Sequence, residues 1–238
     1  MNSIKNIAAY DAIKAALEDL SSLGEAASQI SAIGAIGITD EWSTSQKKVL
    51  MLGQETGGLD HSLAEMRTDP LGIEKVAASF KWFDFAEGKE QRNSPFWRAH
   101  RRLVAELGES SYRQVMWSNL VKVQSALAQG SSILHIAPEY LQAVIDWQAP
   151  VIRQEIAEIA PKGLILFTGP RYDWILRRVF PGAELIPLEG SAYPVRTIAR
   201  VVHPDLPTNT IRTYHPTFIQ RSKQHSILDE VVAVLRST

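Results

Sequence analysis

Glu55 and His215 are the two side chains of this sequence whose types and surroundings could carry chemistry. Glu55 sits in the run Val49-Leu50-Met51-Leu52-Gly53-Gln54-Glu55-Thr56-Gly57-Gly58, an apolar segment entering a glycine-punctuated turn. Four consecutive apolar residues suit a parallel strand buried on both faces, and ligands of open α/β sheets gather just beyond the carboxyl ends of such strands. His215 lies in a second polar cluster, Arg212-Thr213-Tyr214-His215-Pro216-Thr217-Phe218, which follows another short strand-like run. A carboxylate and an imidazole at two strand ends could face one crevice and there serve acid–base or charge-stabilising chemistry.

The elements that must position them follow from hydrophobic periodicity. Ile4, Ile7, Ala8, Ile13, Leu17 and Leu20 recur at helical spacing, so residues 1–46 read as a helical extension and residues 47–238 as the main domain. A long irregular stretch, rich in charge and aromatics, is expected from Leu59 to Ser94. Pro95 then opens a helix to about Leu107, on which Arg98, Arg101 and Arg102 form a basic stripe. Gln114 to Val123 reads as a second buried strand with Asn119 as its odd polar member, and Gly163 to Gly169 as a third. Pro138 to Ala160 is expected to be helical with a break at Pro150. Residues 183–214 carry two or three β-rich pieces, and one last helix runs from Thr217 to about Leu235. Strands alternating with helices predict an α/β fold: three layers, α/β/α, around a central, mainly parallel, four-stranded sheet.

Composition narrows the function classes. With 238 residues and 45% hydrophobic content the chain can bury a full core, and its formal net charge of −1 excludes a simple polycationic nucleic-acid binder while leaving room for a local basic face. There is no cysteine, hence no disulfide, thiolate metal site, cysteine nucleophile or cysteine-held iron–sulfur cluster. The N-terminus lacks a signal-peptide core, and the apolar run from Ile30 to Ile38 is far shorter than the roughly 20 residues of a spanning helix. A cytoplasmic protein with no membrane association is expected. Leu59-Asp60 occupies the place where a phosphate-cradling loop needs Lys and a hydroxyl, the dinucleotide glycine pattern is absent, and no Ser sits in the turn. The histidines are scattered without short helical spacing, so neither a metal nor a cofactor is expected.

Taken in order, the landmarks resemble the uracil-DNA glycosylase superfamily, with a motif pattern nearest to its mismatch-directed uracil/thymine branch. "VLMLGQETGG" resembles the first motif and puts Glu55 where members carry the Asp or Asn that handles the catalytic water. "FDFAEG" followed by "NSPFWRAHRRLVAELG" resembles the stacking aromatic and the helix start after it; "MWSNLVKV" offers the base-reading Asn119. "GLILFTGPRYDWILRRVF" looks like the third strand, glycine turn and helix, and "YHPTFIQR" like the last motif. The resemblance covers about residues 47–236. It implies Glu55 and His215 as catalytic residues, Gln54, Phe85, Asn119 and Phe96 as base-binding, and Thr217, Phe218, Arg221 and Lys223 as DNA-binding, with no metal or cofactor. The sequence departs from the family pattern at Thr56, where a proline is common, at Glu55, one methylene longer than Asp, and at Gly57, in place of the tyrosine that blocks thymine in the strict uracil enzymes.

Those residues suit cleavage of an N-glycosidic bond. A base flipped out of single- or double-stranded DNA would stack on Phe85 and be read by Asn119. Its departure as an anion leaves a cationic sugar, so Glu55 near the sugar and His215 near the base oxygen would act where charge develops. Arg212, Arg221 and Lys223, with no acid between residues 211 and 225, form a local basic face beside the helix start near Thr217, and Phe218 or Ile219 could wedge into the gap. Every residue also has a plain structural reading: Glu55 as a cap or arginine partner, Asn119 as a satisfied core amide, His215 as a turn former, the aromatics as core and the arginine stripe as a solvated face. The expected function is base excision in DNA repair by a glycosylase-like hydrolase acting on uracil or a related damaged base. The alternative is an inactive nucleic-acid or nucleotide-binding protein of the same fold, and a third reading is a hydrolase of free nucleosides or small glycosides that uses Glu55 alone. Glu55, Asn119 and His215 are expected to meet at the carboxyl edge of one sheet.

Overall fold

The apolar run Val49-Leu50-Met51-Leu52 enters a mixed sheet as the strand next to one edge in the computed structural model, which describes residues 6–57, 59, 61–82, 93–126 and 132–237. The strands are β1 (Val49–Glu55), β2 (Val115–Val121), β3 (Gly163–Leu166), β4 (Glu184–Ile186), β5 (Ile198–Val202) and β6 (Asn209–Thr213), in the order β2-β1-β3-β6-β5-β4. β1, β3 and β6 run parallel; β5 and β4 extend the sheet antiparallel. The α/β class is present, but the sheet has six strands where four were expected. Residues 183–214 supply the surplus. The connection 203–208 between β5 and β6 is too short for the dozen or more residues of a parallel crossover, so the chain can only return as a hairpin.

Contacts divide the chain into two compact units: Met1–Ile38, Glu55–Phe83 and Val121–Ile159 form the first, and Thr39–Gln54, Asp84–Leu120 and Ala160–Thr238 the second. The second unit holds the sheet except for Glu55 and Val121, the final residues of β1 and β2. Its register aligns Met51, Ile165 and Ile211 in one row, and these side chains are fully buried. They share a core with Leu103, Ile219, Val231 and Leu235. These four come from α5 (Pro95–Glu106), α8 (Pro216–Arg221) and α9 (Ser226–Arg236). α2 (Asp40–Thr44) and α7 (Asp173–Val179) complete the unit. Ser94 caps α5 by accepting the Trp97 N–H, with Pro95 in the first turn, as the sequence predicts. The expected single C-terminal helix is two helices, because Lys223 takes φ +56° in the turn between them, a left-handed geometry no helix continues.

In the first unit, α1 (Tyr10–Glu18) is followed by 3₁₀ turns over Leu20–Gln29, and residues 30–37 are extended rather than helical, with isolated bridges to Ser62 and Ser125. The stretch expected to be irregular contains α3 (Leu63–Thr68), closed by a reciprocal Ser62–Glu65 capping box, and α4 (Gly72–Trp82). α6 (Pro138–Ile159) runs through Pro150 without the expected break. A proline inside a helix loses one hydrogen bond, but Trp147, Gln148, Ala149, Val151 and Ile152 are all buried around it, and that packing holds the helix together. None of the described helices is long and apolar enough to cross a membrane.

α6 also carries the counter-charge of a buried lysine. Lys122 Nζ donates to Glu155 Oε2 at 2.5 Å with both side chains buried, and the Lys122 backbone N–H donates to Gln148 Oε1 at 2.7 Å, two turns earlier on the same helix. Removing one partner leaves the other ion buried without this counter-charge, so Glu155→Gln is expected to cost about 3 to 5 kcal/mol in urea unfolding. The double variant Lys122→Met/Glu155→Met should recover much of it. A single-variant loss under about 1 kcal/mol would show that the lysine finds other compensation.

Candidate functional site

The second unit gathers its chemistry where β1, β3 and β6 end. Gly53 is there because of a close approach: a Cβ at this position would stand 2.4 Å from Asn119 Oδ1 and 3.5 Å from Phe96 Cε2. The amide of Asn119 therefore lies directly over the β1 backbone, with Phe96 beside it. Gln54 Nε2 donates to the Thr168 carbonyl at 2.8 Å, joining the ends of β1 and β3. Gly169 follows at φ +71°, and a Cβ there would meet Tyr214 Cδ1 at 3.3 Å, so the residues after β3 and β6 are also in close contact.

His215 stacks on Phe96, with ring centroids 5.9 Å apart and planes within 12°. Phe96 itself stands edge-on to Trp97, Trp117 and Phe167, so one ring serves as core and as platform. The His215 Nδ1 accepts the Thr217 N–H at 3.3 Å across the start of α8. Burial pushes the imidazole pKa down to about 4, which keeps the ring neutral at pH 7. With Nδ1 an acceptor, the single proton sits on Nε2, and the ring is a neutral hydrogen-bond donor. Tyr214 stacks on Phe218 at 4.1 Å, and Phe218 remains 45% exposed.

The other expected residues are placed as follows. Glu55 ends β1, immediately after Gln54, and its Oε2 accepts the Ile133 N–H at 2.6 Å, an interaction within the first unit. Phe85 lies outside the described residues. Thr217 and Phe218 open α8, Arg221 ends it exposed, and Lys223 is exposed in the turn beyond. Arg212 does not belong to that basic face. It is 1% exposed, on the sheet side opposite Ile211, with its guanidinium directed to Asp173 and to the carbonyls of Val195 and Arg196. The stripe on α5 is partly engaged too: Arg98 bonds Gln220 at 2.6 Å and Arg102 pairs with Asp229. Two groups escaped the sequence reading. Thr168 presents a buried hydroxyl with no hydrogen-bond partner among the described residues, and the Asp173–Arg212 pair crosses a distance no local pattern signals. Among the described residues no three His, Asp or Glu side chains are grouped to hold a metal ion.

No protein-family model matches this sequence, and no curated protein matches it.

Two measurements check the geometry. Gly53→Ala should displace Asn119, because 2.4 Å is below any real carbon–oxygen contact; an unshifted Asn119 side-chain amide resonance in the variant would contradict the close approach. The pH prediction concerns His215 and His100, whose pKa is also pushed down to about 4 by full burial while its Nε2 bonds the Val115 carbonyl at 2.7 Å. Unfolded histidines take up protons near pH 6.5 and these folded ones only near 4, so their contribution to stability is complete above about pH 6.5 and is lost as pH falls toward 4. Imidazole C–H resonances should stay unprotonated to about pH 4; a midpoint near 6.5 for His215 would mean that its ring is hydrated.

Proposed function

We propose that this chain is a DNA glycosylase-like hydrolase that releases uracil or a related damaged base, built on the three-layer arrangement of the uracil-DNA glycosylase superfamily. The observation that carries the reading is the state of His215: a neutral imidazole with its proton on Nε2, stacked on Phe96 in the same cluster as Gly53 and Asn119. N-glycosidic cleavage drives electrons into the base, whose carbonyl oxygen becomes anionic as the bond to the sugar breaks. A neutral donor suits that oxygen, since it strengthens its hydrogen bond as charge develops and need not surrender a proton. Asn119 offers an amide to read the edge of a flipped base, and Gln54 a second one from the neighbouring strand end. The carboxylate of Glu55, at the end of β1, is the group in this sequence motif for steadying the cationic sugar or orienting water.

A second reading is favoured by a specific contact. The Ile133 N–H already occupies Glu55 Oε2, and a carboxylate used to fix a loop is what a binding protein that has lost hydrolysis would retain. An abasic-site cleavage assay over modified bases, in single- and double-stranded DNA, separates the two. Base release is expected, with Glu55→Gln and His215→Ala each slowing it by about two to four orders of magnitude while DNA affinity and fold persist. Phe85→Ala should weaken capture of the base by on the order of 1 to 3 kcal/mol. Binding without product on every base would replace the hydrolase by the binding protein; release that survives Glu55→Gln would keep the hydrolase and remove Glu55 from its mechanism.

A further inference from the structure

Between Gly169 and Gly182 the sequence has one acid, Asp173, against Arg171, Arg177 and Arg178; from Gly190 to Pro204 it has Arg196 and Arg200 and no acid. The structure spends that acid internally. The Asp173 carboxylate meets Arg212 Nε at 3.0 Å and Nη2 at 3.2 Å, and Arg212 is buried beneath it. Arg177 and Arg196 stand close enough to act on the same carboxylate through charge. Neither of them, nor Arg171, has an acidic hydrogen-bond or ion-pair partner among the described residues, and all three are exposed. Their positive charge is therefore surplus, and it is concentrated around one short helix.

An aromatic ring lies among them. Trp174 is 38% exposed, three residues after Arg171 and three before Arg177. Trp174 and Arg177 are three apart on α7 and so share one face, while Arg171 stands in the 3₁₀ turn Pro170–Tyr172 that leads into it. An open indole with arginines one turn away that have no acidic partner is complementary to a chain that alternates aromatic faces and negative charges, even though the exposed acids Glu184 and Glu189 lie between the two arginine-bearing segments in sequence. Arginine suits that partner better than lysine, since its planar fork meets two phosphate oxygens at once and stacks on bases.

We propose that the face formed by Arg171, Trp174, Arg177 and Arg196 binds single-stranded nucleic acid, the indole stacking on a base and the guanidinium groups holding the flanking phosphates. This surface is distinct from the α8 residues Thr217 to Lys223. It rests on the nucleic-acid side of the function proposed above and not on base release.

The test is fluorescence anisotropy of the full chain with a labelled oligothymidylate of about ten nucleotides, a length within single-strand site sizes, titrated at several salt concentrations. Arg177→Glu and Arg196→Glu should each weaken binding about tenfold or more and lower the salt slope by about 0.7 per lost phosphate contact. Trp174→Ala should weaken it about tenfold and leave the slope unchanged. Circular dichroism checks the fold, and Arg171→Glu, which is not among the charges acting on the Asp173 carboxylate, replaces any variant that fails to fold. Wild-type affinity in the variants overturns the proposal, as does a Trp174→Ala protein that binds normally. Loss of polyglutamate binding with oligothymidylate binding intact also overturns it, in favour of an acidic protein partner. The readout is binding, so an absence of base release leaves this surface standing, and a loss of binding here leaves base release to its own assay.

Discussion

The arrangement of the second unit depends on one buried guanidinium. Register places Leu52, Leu166, Arg212 and Ala199 in a single row across four strands, so an arginine occupies a place where its neighbours are leucine and alanine. Burial lowers the Arg212 pKa and raises that of Asp173, and in each case the partner's charge opposes the shift. Such a pair is poor evidence for stability by itself, because the desolvation of two ions can cancel their attraction. What it does supply is position. One side chain ties the end of β6 to the first residue of α7 and to the carbonyls of Val195 and Arg196 just before β5. Three chain segments at the carboxyl ends of the parallel strands are fixed by the same planar fork.

At this edge the site is assembled from contacts close to the backbone. Asn119 can lie over β1 only because residue 53 has no side chain, and Tyr214 can lie against the turn after β3 only because residue 169 is glycine. His215 gains its orientation from a different source, the Thr217 N–H and the face of Phe96. Burial then sets its charge. The same low-polarity packing that positions the ring also keeps it neutral, so geometry and protonation have one cause.

Much of this was legible in the sequence, for reasons specific to each element. β1 and β3 announced themselves because strands buried on both faces are apolar runs bounded by turn residues, and α5 because Pro95 suits the first turn of a helix. Asn119 came into view as the polar member of an apolar run, His215 as part of the polar cluster after another, and Phe96 only through the resemblance of the helix start it belongs to. The β-rich pieces of residues 183–214 were expected, but that all three join the sheet was obscured because β4 is short and largely exposed, so its pattern has no buried face to read. Pro150 misled because helix propensity is a local quantity while the burial that overrides it is not. Arg212 misled for the converse reason: a positive residue in a segment without acids reads as surface, and its partner lies far away in the sequence at Asp173.

Glu55 is where the physical requirements of the two functional readings diverge. Stabilising a cationic sugar asks only that a negative charge be held nearby, and a backbone N–H on one oxygen does not remove that charge; it orients the carboxylate and spares it reorganisation. Activating a water asks for more, namely an oxygen whose lone pair is directed at the water and not committed elsewhere. The Ile133 N–H on Oε2 is compatible with the first demand and competes with the second. His215 faces no such conflict, because Nδ1 is already satisfied by Thr217 and the proton remains on Nε2. On the glycosylase reading proposed above, the chain would be better prepared to meet charge on a departing base than to attack the sugar. On that reading, a loose transition state, in which the base has largely left before water arrives, is the one that asks least of the Glu55 carboxylate.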